Sequence, residues 1–208
     1  MLKDEWGFIL RALQIRIFFT LFLGLIGCLS PSQSWAVMEE ENFFFSLGGG
    51  KFVPFDGHSG FVATGGLFLP VLSHVLVGGE LEYRQFKTKF LGVRGVESKS
   101  VAFRAMAKFL LFQKGFTPYA GGGFSIALNI IDTEKIERER PGIEVFDKVG
   151  MGSGIFGLVG VLVPVNSNVS FFAEGRASFD IQLTHFEETE VENLGGFSGL
   201  GGVVFYFL

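Results

Sequence analysis

The sequence predicts an all-β chain: an eight-stranded antiparallel up-and-down transmembrane β-barrel. Three observations predict it. First, in 75 to 85 and again in 169 to 179, charged or polar residues fall at every second position of an apolar run. Strand side chains alternate between faces, so each segment has one apolar side and one ionic side. Second, the links between successive strands alternate between compact and long, the plan of short turns at one rim and long loops at the other. Third, 48% of the 208 residues are hydrophobic and the mean hydropathy is +0.42. Yet no apolar run reaches the ~20 residues of a spanning helix.

The N-terminal segment reads as an export leader. Lys3, Arg11 and Arg16 precede a short apolar core from Ile17 to Gly27, followed by small residues at the sites a leader peptidase reads, with a cut after Ala36. Residues 1–36 are therefore expected to be a signal peptide and 37–208 the barrel domain. Leu25-Ile26-Gly27-Cys28 offers a second route, lipidation at the cysteine. Cutting at Ala36 removes Trp6, Trp35 and Cys28, so the exported chain has no tryptophan and no disulfide.

Period-two runs bounded by turn residues place strands at 43 to 53, 61 to 69, 75 to 86, 99 to 111, 117 to 130, 153 to 163, 169 to 181 and 194 to 208. No helical periodicity stands out. Compact links follow strands two, four and six, at 70–74, 112–116 and 164–168. Longer ones follow strands one, three, five and seven, at 54–60, 87–98, 131–152 and 182–193.

Alternation alone does not say which face points in, because a soluble lipocalin-like barrel has the same period with its apolar side inward. Energetics favour a membrane. Arg84, Arg104, Lys108 and Arg176 facing lipid would each cost about 2 to 4 kcal/mol near midplane. Facing inward, they join a set of Glu80, Glu82, Glu174 and Asp180 against Arg84, Arg104, Lys108 and Arg176. Four acids then meet four bases, a set that can pair within a narrow interior.

Two stretches carry a family resemblance. Pro118-Tyr119-Ala120-Gly121-Gly122-Gly123-Phe124-Ser125 and Asn168-Val169-Ser170-Phe171-Phe172-Ala173-Glu174-Gly175-Arg176 resemble two strands of the OmpA-like and opacity-protein family of eight-stranded outer-membrane barrels. The resemblance covers 37–208. The chain departs from it at Gly175 and Ala177, where that family commonly has tyrosine. It implies an outer-membrane location, contact with outer-membrane lipid and lipopolysaccharide, and a monomer. It also implies a structural or surface-interaction role through the outer loops, with a surface ligand as a further partner. Nucleic acid is not among the expected partners.

Sites of chemistry are sparse. Gly152, Gly154 and Gly157 have a dinucleotide-fold spacing, but a second strand and Pro164 follow where that motif needs a helix. Gly48-Gly49-Gly50-Lys51 lacks the Ser or Thr of a phosphate loop. Ser178, Asp180 and His185 form the one catalytic reading, that of a lipid A-modifying enzyme, without the His-x-Ser spacing it would need. Glu187, Glu188, Glu190 and Glu192 are read as a solvated acidic loop rather than a calcium site. Lys87, Lys89, Arg94 and Lys99 make another loop basic and able to meet lipopolysaccharide phosphates. Phe43, Phe52, Phe61, Phe86, Phe112 and Phe116 lie near strand ends, where interfacial aromatic belts form. The expectation is a non-enzymatic barrel with no cofactor or metal, plugged by ion pairs; the alternative is a narrow channel for small or apolar solutes.

Overall fold

The computed structural model describes residues 43–90, 92–112, 115–139, 149–183 and 191–207, within a unit that comprises residues 35–208. The expected signal peptide at 1–36, the cysteine route at Cys28 and the terminal Leu208 lie outside the described residues.

Nine strands and one helix follow in chain order. They are β1 (Phe43–Pro54), β2 (Gly57–Leu72), β3 (Val75–Phe90), β4 (Val93–Leu110), β5 (Thr117–Ile131), α1 (Thr133–Glu139), β6 (Val149–Pro164), β7 (Val169–Leu183), β8 (Val191–Asn193) and β9 (Gly196–Phe207). Each strand from β1 to β7 pairs antiparallel with the next, and β9 fits between β7 and β1. The hydrogen bonding therefore runs as an eight-stranded ring. The three residues of β8 extend the line of β9 along the end of β7.

The register around the ring is staggered. From Glu80 the pairing runs through Arg104, Ser125 and Gly154 to Asp180 on β7. In the other direction it runs through Gly66, Ser46 and Val204 to Ser170, ten residues earlier on the same strand. A ten-residue stagger over eight strands spaced about 4.8 Å apart tilts the strands by roughly 40°. A ring of this size has an interior that side chains just fill.

The structure answers the question of which face points in. Glu80, Glu82, Arg84, Arg104, Lys108, Glu174, Arg176 and Asp180 are all buried, whereas Leu67, Leu81, Phe103, Phe124, Ile155, Val159 and Phe171 are each at least half exposed on the outer face. This is the reverse of a lipocalin-like barrel. On the outer faces of the described strands every charged side chain sits at one end: Lys51, Lys87, Lys89, Arg94, Glu97 and Lys99. On β4 and just beyond it, the charge-free stretch runs from Val101 to Leu111. At ~3.3 Å per residue and the tilt above, it spans roughly 25 Å along the ring axis.

Two rims bound this band. At the rim of the short turns, Phe43 stacks on Phe207 at 4.8 Å, with Phe109, Phe112 and Phe171 exposed nearby. At the other rim Phe55 packs against Phe179 and Phe197 at 5.2 and 5.3 Å. Phe43, Phe61 and Phe112 point outward as expected, but Phe52 and Phe86 do not. They share the inward parity of Arg84 and meet edge to face at 4.8 Å inside the ring. Phe116 is half-buried beside a turn.

The connections depart from expectation in two places. Links read as 54–60 and 87–98 are tight, because β2, β3 and β4 continue past the apolar band as extended hairpins of 16 to 18 residues per strand. The residues that made them look like loops are polar on the outer face only; Thr88, Phe90, Val93 and Val96 keep an inward, buried row going. The second departure is α1, seven residues with one fully buried apolar side chain, Ile136. Asp132 accepts a hydrogen bond from the Glu134 amide at 3.2 Å at its start, and Lys135 donates to the carbonyls of Arg94 and Gly95. Gly95 has a left-handed φ of 72°, which the hairpin tip requires of it.

Candidate functional site

The interior has three layers. Phe44, Phe68, Leu76, Leu110, Leu162 and Phe172 fill the end nearest the short turns, and Phe52, Phe86, Phe90, Val96, Ile131 and Ile136 fill the opposite end. Between them lie the eight charges. β3 and β7 are diametrically opposite in the ring order, which explains how side chains far apart in sequence meet. Because the stagger accumulates evenly around the ring, the point on β7 level with Glu80 lies midway between Ser170 and Asp180. That point is next to Arg176. By the same offset Arg84 stands level with Asp180.

The contacts follow this geometry. Arg176 crosses the interior to hold Glu80 through two nitrogens, one of them 2.8 Å from Oε2, and reaches Glu82 at 3.2 Å. Its Nε is paired with Glu174 on its own strand. Arg84 donates to Asp180 at 2.7 Å across the ring and pairs with Glu82 beside it. From β4, Lys108 donates to Glu174 at 2.8 Å, and Arg104 Nη2 lies 2.9 Å from Glu82. Every acid of the set thus has at least one base, and Glu82 has three.

Residues outside the charged set complete it. Tyr119 donates its hydroxyl to Glu174 at 2.8 Å, and Ser125 donates to Asp180 at 2.7 Å. The cations also rest on rings: Arg84 over Phe52 at 4.6 Å, Arg104 over Phe156 at 4.5 Å, and Lys108 over Phe68 at 4.7 Å. Buried ion pairs repay their desolvation only when their remaining lone pairs and protons are also met, and cation–π contacts add to that. Arg104 is the weakest member. Its nitrogens are fully buried and none makes a well-aligned hydrogen bond among the described residues.

Sequence reasoning named the eight charges but not Tyr119, Ser125, Phe52, Phe68 or Phe156 as their partners. A signal was available for the first two, since Tyr119 and Ser125 share one parity on β5. The glycine spacing at 152, 154 and 157 also has a physical role. Gly154 pairs with Asp180, and a Cβ there would run into the Asp180 carboxylate and the Phe179 carbonyl. Gly154→Val is expected to destabilise the folded chain by about 1 to 3 kcal/mol, the cost of overpacking a filled interior. Urea unfolding in lipid vesicles measures it.

The catalytic reading does not assemble. Asp180 is committed to Arg84 and Ser125, Ser178 is buried with its hydroxyl 3.5 Å from the Gly196 carbonyl, and His185 lies outside the described residues. His74, at a turn, contacts Ser73 and the ring of Phe109. Glu187, Glu188 and Glu190 lie outside the described residues, and Glu192 belongs to β8. Among the described residues no group of three or more His, Cys, Asp or Glu side chains is placed to hold a metal. A cavity of about 20 Å³ lies between the charged layer and the apolar end, lined in part by Ser46, Glu80, Lys108 and Tyr119. That is room for about one water, with polar groups to bind it.

A ring of eight antiparallel strands, apolar outside and ionic within, places the chain in the structural class of outer-membrane barrel proteins. Two solved structures give the likeness. The crystal structure of Neisserial surface protein A (NspA) is 18% identical with a TM-score of 0.52, covering 80% of this chain and 96% of that one. The outer membrane protein OprG from Pseudomonas aeruginosa is 11% identical with a TM-score of 0.57, covering 80% and 95%. At these identities the shared property is the fold. No family model and no curated protein matches the chain.

Proposed function

We propose that the chain is a non-enzymatic, monomeric outer-membrane protein: an eight-stranded transmembrane β-barrel plugged by ion pairs, with a structural or surface-interaction role at its loop-bearing end. One observation carries this reading, the inversion of polarity between the two faces of the ring. An outer face with many half-exposed Phe, Leu, Ile and Val side chains is untenable in water, where exposed apolar patches are normally a few hundred Å². It suits lipid, and its charge-free height of roughly 25 Å equals the apolar band of outer-membrane barrels. The phenylalanine clusters at both rims support the same orientation, as does the fold shared with NspA and OprG.

The layered interior favours a closed barrel over the narrow channel. A conducting path would need water through both apolar layers and through paired charges, against a void of about 20 Å³. In planar bilayers the purified protein is expected to give no steady conductance; a persistent open state would overturn the plug. Location and fold are tested together by fractionation followed by gel mobility with and without boiling. The expected result is outer-membrane recovery and a heat-dependent shift. A soluble periplasmic product without a shift would contradict the proposal.

A further inference from the structure

We propose that the outer face of the β3–β4 hairpin, with the cleft beside it on β2, binds the phosphorylated sugar headgroup of an outer-leaflet glycolipid. The inference rests on the membrane orientation proposed above and assigns a specific site to it.

The charge distribution points there. The whole chain has a formal net charge of −4, yet the outward-facing charges of the strands are five cations, Lys51, Lys87, Lys89, Arg94 and Lys99, against the single acid Glu97. Glu97 is already engaged, accepting a hydrogen bond from Gln85 at 2.9 Å and lying 4.0 Å from Lys99. The side chains of Lys87, Lys89 and Arg94 make no ion pair or hydrogen bond among the described residues. Four of the five cations belong to one hairpin. Unpaired cations gathered on one outer face have charge complementarity for an anion and none for their own chain.

Height selects the partner. Gln85 pairs with Phe61 and Lys99, and Lys87 pairs with Glu97 and His58 one step further from the apolar band. Lys87 is thus about 7 Å along the strand from the level of Phe61, within the headgroup zone that adds some 5 to 8 Å to each side of a bilayer core. Lysine stems can lie along apolar surface while their amines stay at that level.

The cleft supplies the remaining chemistry. The register of β2 against β3 breaks between His58 and Phe61, and there a recess of about 560 Å³ opens, lined by His58, Ser59, Phe61, Gln85, Lys87 and Glu97. Gly60 is needed at this break, since a Cβ would strike the Gln85 carbonyl. The recess combines an apolar floor, Phe61 at 53% exposed, with a cation and several hydrogen-bond acceptors. Acyl methylenes on Phe61, phosphate oxygens on Lys87 and Lys89, and sugar hydroxyls on Gln85 and Glu97 use all of these groups at once. A phosphate alone would use only the cations.

The test compares binding of diphosphorylated lipid A, its phosphate-free form and inorganic phosphate to the full folded protein in neutral detergent, read by native mass spectrometry. Each interfacial cation contributes roughly fivefold. The phosphorylated lipid should therefore bind wild type at least about tenfold tighter than the phosphate-free lipid, and inorganic phosphate should not displace it. Lys87→Gln with Lys89→Gln should weaken its binding roughly 25-fold, while Glu97→Gln, which removes the competing carboxylate, should strengthen it. Equal binding of the two lipids to wild type, displacement by inorganic phosphate, or an unchanged preference in the double variant would overturn the site. The heat-dependent gel shift is read on the same samples. Its presence without lipid discrimination refutes the site and leaves the barrel standing; its absence in wild type refutes the barrel and the site with it.

Discussion

Arg176→Met is expected to be the most damaging single substitution in the chain, lowering stability by about 3 to 5 kcal/mol, the cost of breaking a buried ion pair by removing one partner. Arg176 touches Glu80, Glu82 and Glu174, so its loss leaves three carboxylates within a closed interior with one cation fewer. The companion substitution Glu80→Gln should recover part of the loss, because it removes the carboxylate that depends on Arg176 alone among the described residues. Arg104→Met provides the contrast. Its guanidinium makes no well-aligned hydrogen bond, and Glu82 keeps Arg84 and Arg176, so a cost of at most about 1 kcal/mol is expected. Guanidinium unfolding from phospholipid vesicles measures all four variants. Equal losses for Arg176→Met and Arg104→Met would show that the interior responds to charge count rather than to these pairings.

Val77→Arg should destabilise the protein by about 2 to 4 kcal/mol in a bilayer, the cost of a cation on the lipid face near midplane. Val77 is 44% exposed on the outer face and pairs with Ala107, near the centre of the charge-free stretch from Val101 to Leu111. Gln85→Arg, at the edge of the band beside Lys99, should cost about 0 to 1 kcal/mol. The gradient between the two is the informative quantity. A water-facing outer surface would accept either arginine with little change, since isolated surface substitutions usually shift stability by less than about 0.5 kcal/mol.

The strands and their parity were legible in the sequence because a period of two, carried by charges, survives without tertiary information. Glu80, Glu82 and Arg84 on one run and Glu174, Arg176 and Asp180 on another could be assigned to one face each. Who meets whom was not legible. Arg84 finds Asp180, and Arg176 finds Glu80, because the ten-residue stagger brings two opposite strands level, and stagger is a property of the closed ring. Loop length misled for a local reason: Lys87, Lys89 and Lys99 give the hairpin the composition of a loop, while the inward row from Thr88 to Ser98 continues the strand. α1 escaped notice because one buried residue, Ile136, makes no periodicity. Phe52 and Phe86 were read by their position at strand ends, although their parity with Arg84 already marked them as interior.

The central claim is that even-numbered residues of β4 point into a filled, ionic interior and odd-numbered ones into lipid. A nitroxide scan from Val101 to Phe109, with single cysteines in a Cys28→Ser background and the protein in vesicles, tests it directly. Oxygen, which concentrates in the bilayer, should broaden labels at 101, 103, 105, 107 and 109 strongly and those at 102, 104, 106 and 108 weakly. The opposite phase, or no alternation, would contradict the account.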